Sequence, residues 1–274
     1  MTGPLPHLLC ALVLALALAA CAADDPAETA IQTPTAGTEA AEEANDGPEL
    51  SGTLIVQAAA SLTDAFAIFE VDLEALYPDL DVVMNFAGSQ ALATQILEGA
   101  PADVFASANV TQIERVEEED LLGSTPEIFL RNALAIAVEP GNPIDIGGLD
   151  DLAREDVVVV LAAPDVPAGN LAAQVLQAAG VEVTPASLEV DVRAVLSRVE
   201  LGEADAGIVY VSDILAAGDA VAEVEIPESD NLLAEYPIAV VADASNPDAA
   251  AAFIDYVLSE DGQAVLVEHG FQRL

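Results

Sequence analysis

Residues 53–109 read TLIVQAAASLTDAFAIFEVDLEALYPDLDVVMNFAGSQALATQILEGAPADVFASAN, and this stretch switches four times between two periodicities. Residues 53–56, 81–84 and 103–106 are short runs rich in Val, Ile and Phe, the signature of buried strands. Between them, 61–76 and 89–98 place apolar residues at helical spacing. The alternation continues to the C-terminus, with strands expected at 133–138, 157–161, 206–211 and 238–241. Helices are expected at 110–119, 169–179, 192–201 and 248–258. Strands alternating with helices predict an α/β architecture with largely parallel sheets. No repeat of solenoid period is present.

Three strand-to-helix junctions carry small or polar residues. Ser61 precedes Leu-Thr-Asp, which reads as an N-cap with Asp64 completing an approximate capping box. Ser89 follows Gly88 and opens a second helix, and Pro167-Ala168-Gly169 precedes a third. The first N–H groups of a helix lack intrahelical partners, and in open α/β sheets such junctions lie where anions bind. Each junction read singly is equally a plain capped helix, because spacing does not show whether the three converge.

The chain has 274 residues, 48 acidic against 6 basic, for a formal net charge of −42. All six bases are arginines, Arg115, Arg131, Arg154, Arg193, Arg198 and Arg273. Nucleic-acid binding through a basic footprint is excluded, as are Schiff-base chemistry and a P-loop lysine. The only histidines are His7 and His269 and the only cysteines Cys10 and Cys21, so a Ser-His-Asp triad could draw only on His269, and a zinc site would have one imidazole and at best one thiol. His269 reads as a surface or helix-end residue. Carboxylate pairs for acid/base work remain possible on composition alone.

Residues 8–20, LLCALVLALALAA, form an apolar run too short for a comfortable membrane span and suited to a signal-peptide core. The run ends in Leu18-Ala19-Ala20-Cys21, which resembles the lipobox of bacterial lipoproteins and implies a lipidated Cys21 after removal of residues 1–20. The leading MTGPLPH lacks the Lys or Arg common in that region. With Cys21 acylated, no intramolecular disulfide can form. Residues 22–50 hold eight acids and no base among Ala, Thr and Pro, a composition that buries little and predicts a disordered tether spanning on the order of 30 Å. The remainder still carries 40 acids against 6 arginines.

The segments QAAASLTDAF (57–66), NFAGSQALATQILEGAPADVFASAN (85–109), APDVPAGNLAAQVL (163–176) and DVRAVLSRVELGEADAGIVYVSD (191–213) together resemble the molybdate-binding component of ABC-type importers, in order and spacing from about residue 52 onward. The resemblance implies a type II periplasmic-binding-protein fold: two α/β lobes with a ligand cleft between them. The first lobe would comprise 51–130 plus 235–274 and the second 131–234. It carries the oxyanion-binding role onto Ser61, Ser89, Ala168, Val192 and Tyr210. These would hold the metal-centred anion through its oxygens, with no direct metal ligand and no cofactor. Taken without the resemblance, Ser61 and Ser89 are caps, Val192 is core and Tyr210 is packing.

Two features depart from the family pattern: Gly88 stands where a Ser is frequent, and Leu171 where an aromatic is common. Asp64 and Asp103 read as structural, because a carboxylate in an anion pocket would repel its ligand, and Arg193 reads as structural too. The expected protein is therefore not an enzyme. It is an extracytoplasmic, lipid-anchored monomer that captures molybdate, and tungstate, for a membrane permease with its ATPase, without binding nucleic acid. The alternatives are a receptor for another oxyanion such as sulfate or phosphate, and an enzyme or sensor module on the same scaffold.

Overall fold

The computed structural model describes residues 49–274. The expected signal peptide, Cys21 and most of the tether lie outside the described residues. β1 (Ser51–Ala59) runs parallel to β2 (Asp79–Ala87) on one side and to β3 (Val104–Ala106) on the other. The two crossovers are α1 (Thr63–Leu76), entered through a 3-10 turn at Ala60–Leu62, and α2 (Ser89–Leu97). α3 (Val110–Glu117) follows β3, its start capped by Asn109, whose side chain accepts the Gln112 N–H.

β4 (Glu127–Val138) is the long strand that links two groups of strands. Its first part pairs antiparallel with β9 (Leu233–Val240), from Glu127↔Ile238 to Ala133↔Leu233, with the register shifting between Ile128 and Leu130. From Leu134 onward it pairs with β7 (Ala206–Tyr210) and with β8 (Ala222–Glu225). β5 (Val159–Ala162) is parallel to both β6 (Ser187–Glu189) and β7. The order is β2-β1-β3-β9-β4-β7-β5-β6, with β8 on β4. Four of the eight pairings are antiparallel, which corrects the expectation of largely parallel sheets. β4 and β9 are the strands by which the chain passes between the two groups, and each enters its neighbours against their direction.

The remaining helices are α4 (Pro167–Ala179), α5 (Val192–Glu200), α6 (Val211–Ala217), α7 (Pro247–Leu258) and α8 (Glu260–Glu268). Strands β6 and β8 and helices α6 and α8 were not anticipated. α1 packs on α7 through its apolar face: Phe66 lies 5.4 Å from Phe253 and Phe69 5.4 Å from Tyr256, both edge-on. Each such ring buried from water contributes roughly 1.5–3 kcal/mol. Asp103 is structural, as expected. Buried at the start of β3, it accepts from Ile55 N–H at 2.7 Å and from Ser245 Oγ and Asn246 N–H at 3.0 Å each, tying β1 and β3 to the segment before α7. His269 caps the end of α8, with Nδ1 2.8 Å from the Val265 carbonyl.

Candidate functional site

The carboxyl ends of β1, β5 and β7 and the first turns of α2, α4 and α5 meet around one small pocket. It is lined by Ala59, Ala60, Ser61, Gly88, Ser89, Ala108, Val166, Pro167, Ala168, Asp191, Val192 and Tyr210, with about 210 Å³ of empty space including its mouth. All five residues named from the resemblance line it.

Ser89, Ala168 and Val192 lie in the first turns of α2, α4 and α5, where backbone N–H groups have no intrahelical acceptor. Pro167 starts α4 with φ already set for a helix. Gly169 lets that turn press on the end of β5, since a Cβ there would stand 2.2 Å from the Ala163 carbonyl oxygen and 2.4 Å from that of Ala162. Gly88 is equally confined: a Cβ would lie 2.7 Å from the Val190 oxygen, which already accepts Gln90 Nε2 at 2.8 Å.

Three hydroxyls complete the lining. Ser89 Oγ accepts the Ala108 N–H at 3.0 Å, leaving its own hydrogen to donate. Ser61 Oγ lies 2.9 Å from the Tyr236 hydroxyl. Tyr210 is 1% exposed and its hydroxyl has no hydrogen-bond partner within the protein. Burial pushes the Tyr210 ionisation well above the ordinary tyrosine range, and neighbouring Tyr236 and Asp213 add to the shift, so it stays a neutral donor. One carboxylate reaches the lining, that of Asp191, and its Oδ1 is turned to the Ala194 N–H at 2.8 Å as the cap of α5. No arginine lines the pocket.

Three expectations at this site are corrected. Ser61 is not a helix cap: it sits inside the 3-10 turn, one residue before the N-cap position, which falls on Leu62 without a side-chain bond, and its hydroxyl goes to Tyr236 instead. Asp64 completes no capping box and pairs with Arg193 at 2.5 Å. Ser89 is the first helical residue, with Gly88 at the cap position. Tyr236, Asp191 and Asp213 were missed by sequence reasoning. Asp191 alone had a local signal, as an Asp immediately before an amphipathic helix.

Residues 54–272 match the model of the bacterial extracellular solute-binding proteins. The chain is 36% identical over 261 residues to the molybdate-binding protein ModA of Mycobacterium tuberculosis, covering 95% of each chain. The chain belongs to this solute-binding family. Two solved structures, each 19% identical, share its two-lobed fold. They are the periplasmic molybdate-binding protein of Azotobacter vinelandii, with a TM-score of 0.71 over 80% of this chain and 98% of that one, and the sulfate-binding protein SubI of M. tuberculosis, with 0.73 over 82% and 88%. Members of the family bind solutes outside the cytoplasm and present them to ABC importers. Among the described residues no helix is long and apolar enough to cross a membrane, and no group of three His, Cys, Asp or Glu is placed to hold a metal ion.

Proposed function

We propose that this protein captures molybdate, and tungstate with it, outside the cytoplasm and delivers it to a membrane permease driven by an ATPase. The observation that carries the reading is the convergence of Ser61, Ser89, Ala168, Val192 and Tyr210 on one small pocket of neutral donors. Their hydroxyls and helix-start N–H groups are suited to a tetrahedral dianion that accepts on all four oxygens. Hydrogen bonds to a charged group contribute roughly 1.5–3 kcal/mol each, so seven or so supply a gross stabilisation of about 10–20 kcal/mol. Desolvation and ordering consume much of it, leaving micromolar or tighter binding, about −8 kcal/mol or better.

An anion that keeps a proton, such as hydrogen phosphate, meets few free acceptors and is disfavoured by an unpaired buried polar group. Sulfate is the sharper rival, because SubI shares the fold. Segments 51–130 with 235–274, and 131–234, form the lobes that close on the ligand, the chain crossing between them in β4 and at the start of β9. Lipidation of Cys21 holds the protein, as a monomer, at the membrane through the 22–50 tether, and no catalytic step or cofactor is involved. Calorimetric titration of the purified chain with molybdate, tungstate, sulfate and phosphate tests the ligand, and equal affinity for sulfate overturns the choice. Mass spectrometry of membrane-extracted protein tests the anchor, and an unmodified Cys21 removes it.

A further inference from the structure

Three of the pocket segments have a charged residue one or three positions on that is not part of the pocket lining. Asp64 follows Ser61 by three residues, Arg193 is next to Val192, and Asp213 follows Tyr210 by three. The three charges meet. Arg193 Nη2 lies 2.5 Å from Asp64 Oδ2, and Nε lies 2.7 Å from Asp213 Oδ1, in an ion pair whose N–H does not point along the line to the oxygen. Asp213 is fully buried in the first turn of α6, and its other oxygen accepts the Tyr210 N–H at 3.0 Å. We infer that Arg193 is a positioning residue for anion capture, clasping Asp64 and Asp213 so that Ser61, Val192 and Tyr210 hold one mutual geometry.

This inference rests on the reading of the pocket as an oxyanion site. Arg193 does not line the pocket, and its single charge is matched against two carboxylates, so it is no counter-ion for the ligand. A planar guanidinium holds its nitrogens at fixed positions, and so it sets the spacing of its two partners, by a hydrogen bond to Asp64 and by charge at Asp213. Asp64 belongs to the part of the chain built on β1–β3, whereas Arg193 and Asp213 belong to the part built on β5–β7, so the clasp reaches across both groups of strands. Burial pushes the Asp213 carboxyl up to about 6, Arg193 pulling it down and Asp64 adding to the rise. The flanking phenols of Tyr210 and Tyr236 are held neutral by their own burial. Arg193, together with the Tyr210 N–H, thus favours a charged Asp213 under Tyr210.

Removing Arg193 outright would strand the buried Asp213 and risk unfolding, so the test uses Asp64→Asn, Arg193→Lys and their combination in the full chain. Affinity for sodium molybdate is measured by calorimetry, release by stopped flow, and unliganded stability by thermal unfolding. Asp64→Asn is expected to weaken binding about three- to tenfold with faster release and an unchanged unliganded midpoint. Arg193→Lys, with one nitrogen where two are used, is expected to lose roughly tenfold or more, and the double variant no more than Arg193→Lys alone. Wild-type affinity in a folded Asp64→Asn protein overturns the clasp alone, as does a loss of affinity matched by an equal loss of unliganded stability. A wild-type chain that binds no oxyanion overturns the anion reading and the clasp with it.

Discussion

The phenol oxygen of Tyr236 lies 2.9 Å from Oγ of Ser61, joining β9 to the turn before α1 across 175 positions of sequence. Tyr236 is fully buried, its ring held edge-on by Phe129, Tyr210 and Phe271 at 6.4, 5.9 and 5.8 Å. Burial raises its ionisation far above the working range, so it remains a hydrogen-bond donor. When Ser61 donates to an anion, Tyr236 can fill the serine lone pair behind it, and such chains strengthen one another.

Tyr236→Phe should therefore weaken molybdate binding by about 0.5–1.5 kcal/mol, roughly two- to twelvefold, while the rings keep their packing. In a Ser61→Ala background the same change should have no further effect on affinity, which a double-mutant titration measures. Equal losses in both backgrounds would remove the coupling.

Ser89→Ala and Tyr210→Phe should each cost about 1.5–3 kcal/mol of binding, roughly ten- to 150-fold. Because the Tyr210 hydroxyl has no protein partner, Tyr210→Phe should not lower the unliganded unfolding midpoint. Calorimetry and thermal unfolding on the same samples separate the two effects.

Stability should depend on pH through Asp213. An unfolded aspartate ionises near 3.8, whereas burial holds the proton on Asp213 up to about 6. Between those values the folded state binds more protons, so stability falls as pH rises through the window and levels off above about 6. The full effect is on the order of 3 kcal/mol. Urea unfolding from pH 4 to 7.5 should show this fall for wild type and a shallower one for Asp213→Asn, which keeps an acceptor for the Tyr210 N–H. Parallel curves for the two proteins would contradict the assignment.

Gly169→Ala should destabilise the fold by about 1–3 kcal/mol, because its methyl would meet two backbone carbonyls that cannot swing away. The displaced first turn of α4 moves the Ala168 N–H, so affinity should fall along with the unfolding midpoint. An unperturbed variant would mean that this turn tolerates displacement.

The alternation of buried strand and amphipathic helix was legible because β1, β2, β4 and β5 and the longer helices have strong local patterns. β6 was not, being three residues of partly exposed Ser-Leu-Glu, nor was β8, an alternation of Ala and Val with glutamates. α6 begins directly after Tyr210, so its first residue was absorbed into the preceding strand. α8 follows α7 with only Ser259 between, its glycine obscuring the helical pattern. At the site, small or polar residues at helix starts marked Ser61, Ser89 and Ala168, whereas Val192 and Tyr210 were marked by the family resemblance alone. The partners of Ser61 and Arg193 had no such mark, because Tyr236 is 175 positions from the first and Asp64 is 129 from the second. Only the fold brings these residues together.

The acidic composition bears on capture differently from affinity. Exposed carboxylates are screened over roughly 8 Å at physiological salt, so the molybdate on-rate should rise with ionic strength while the pocket sets release. Stopped-flow titration at low and physiological salt checks this.

The most direct test of a neutral-donor oxyanion pocket is calorimetric titration of the wild-type chain and a Ser89→Ala/Tyr210→Phe variant with molybdate, repeated with sulfate and phosphate. The prediction is a single wild-type site of micromolar or tighter affinity, much weaker binding of sulfate and phosphate, and loss of the molybdate heat in the folded double variant. Undiminished molybdate binding by that variant, or equal wild-type affinity for the other two anions, would contradict it.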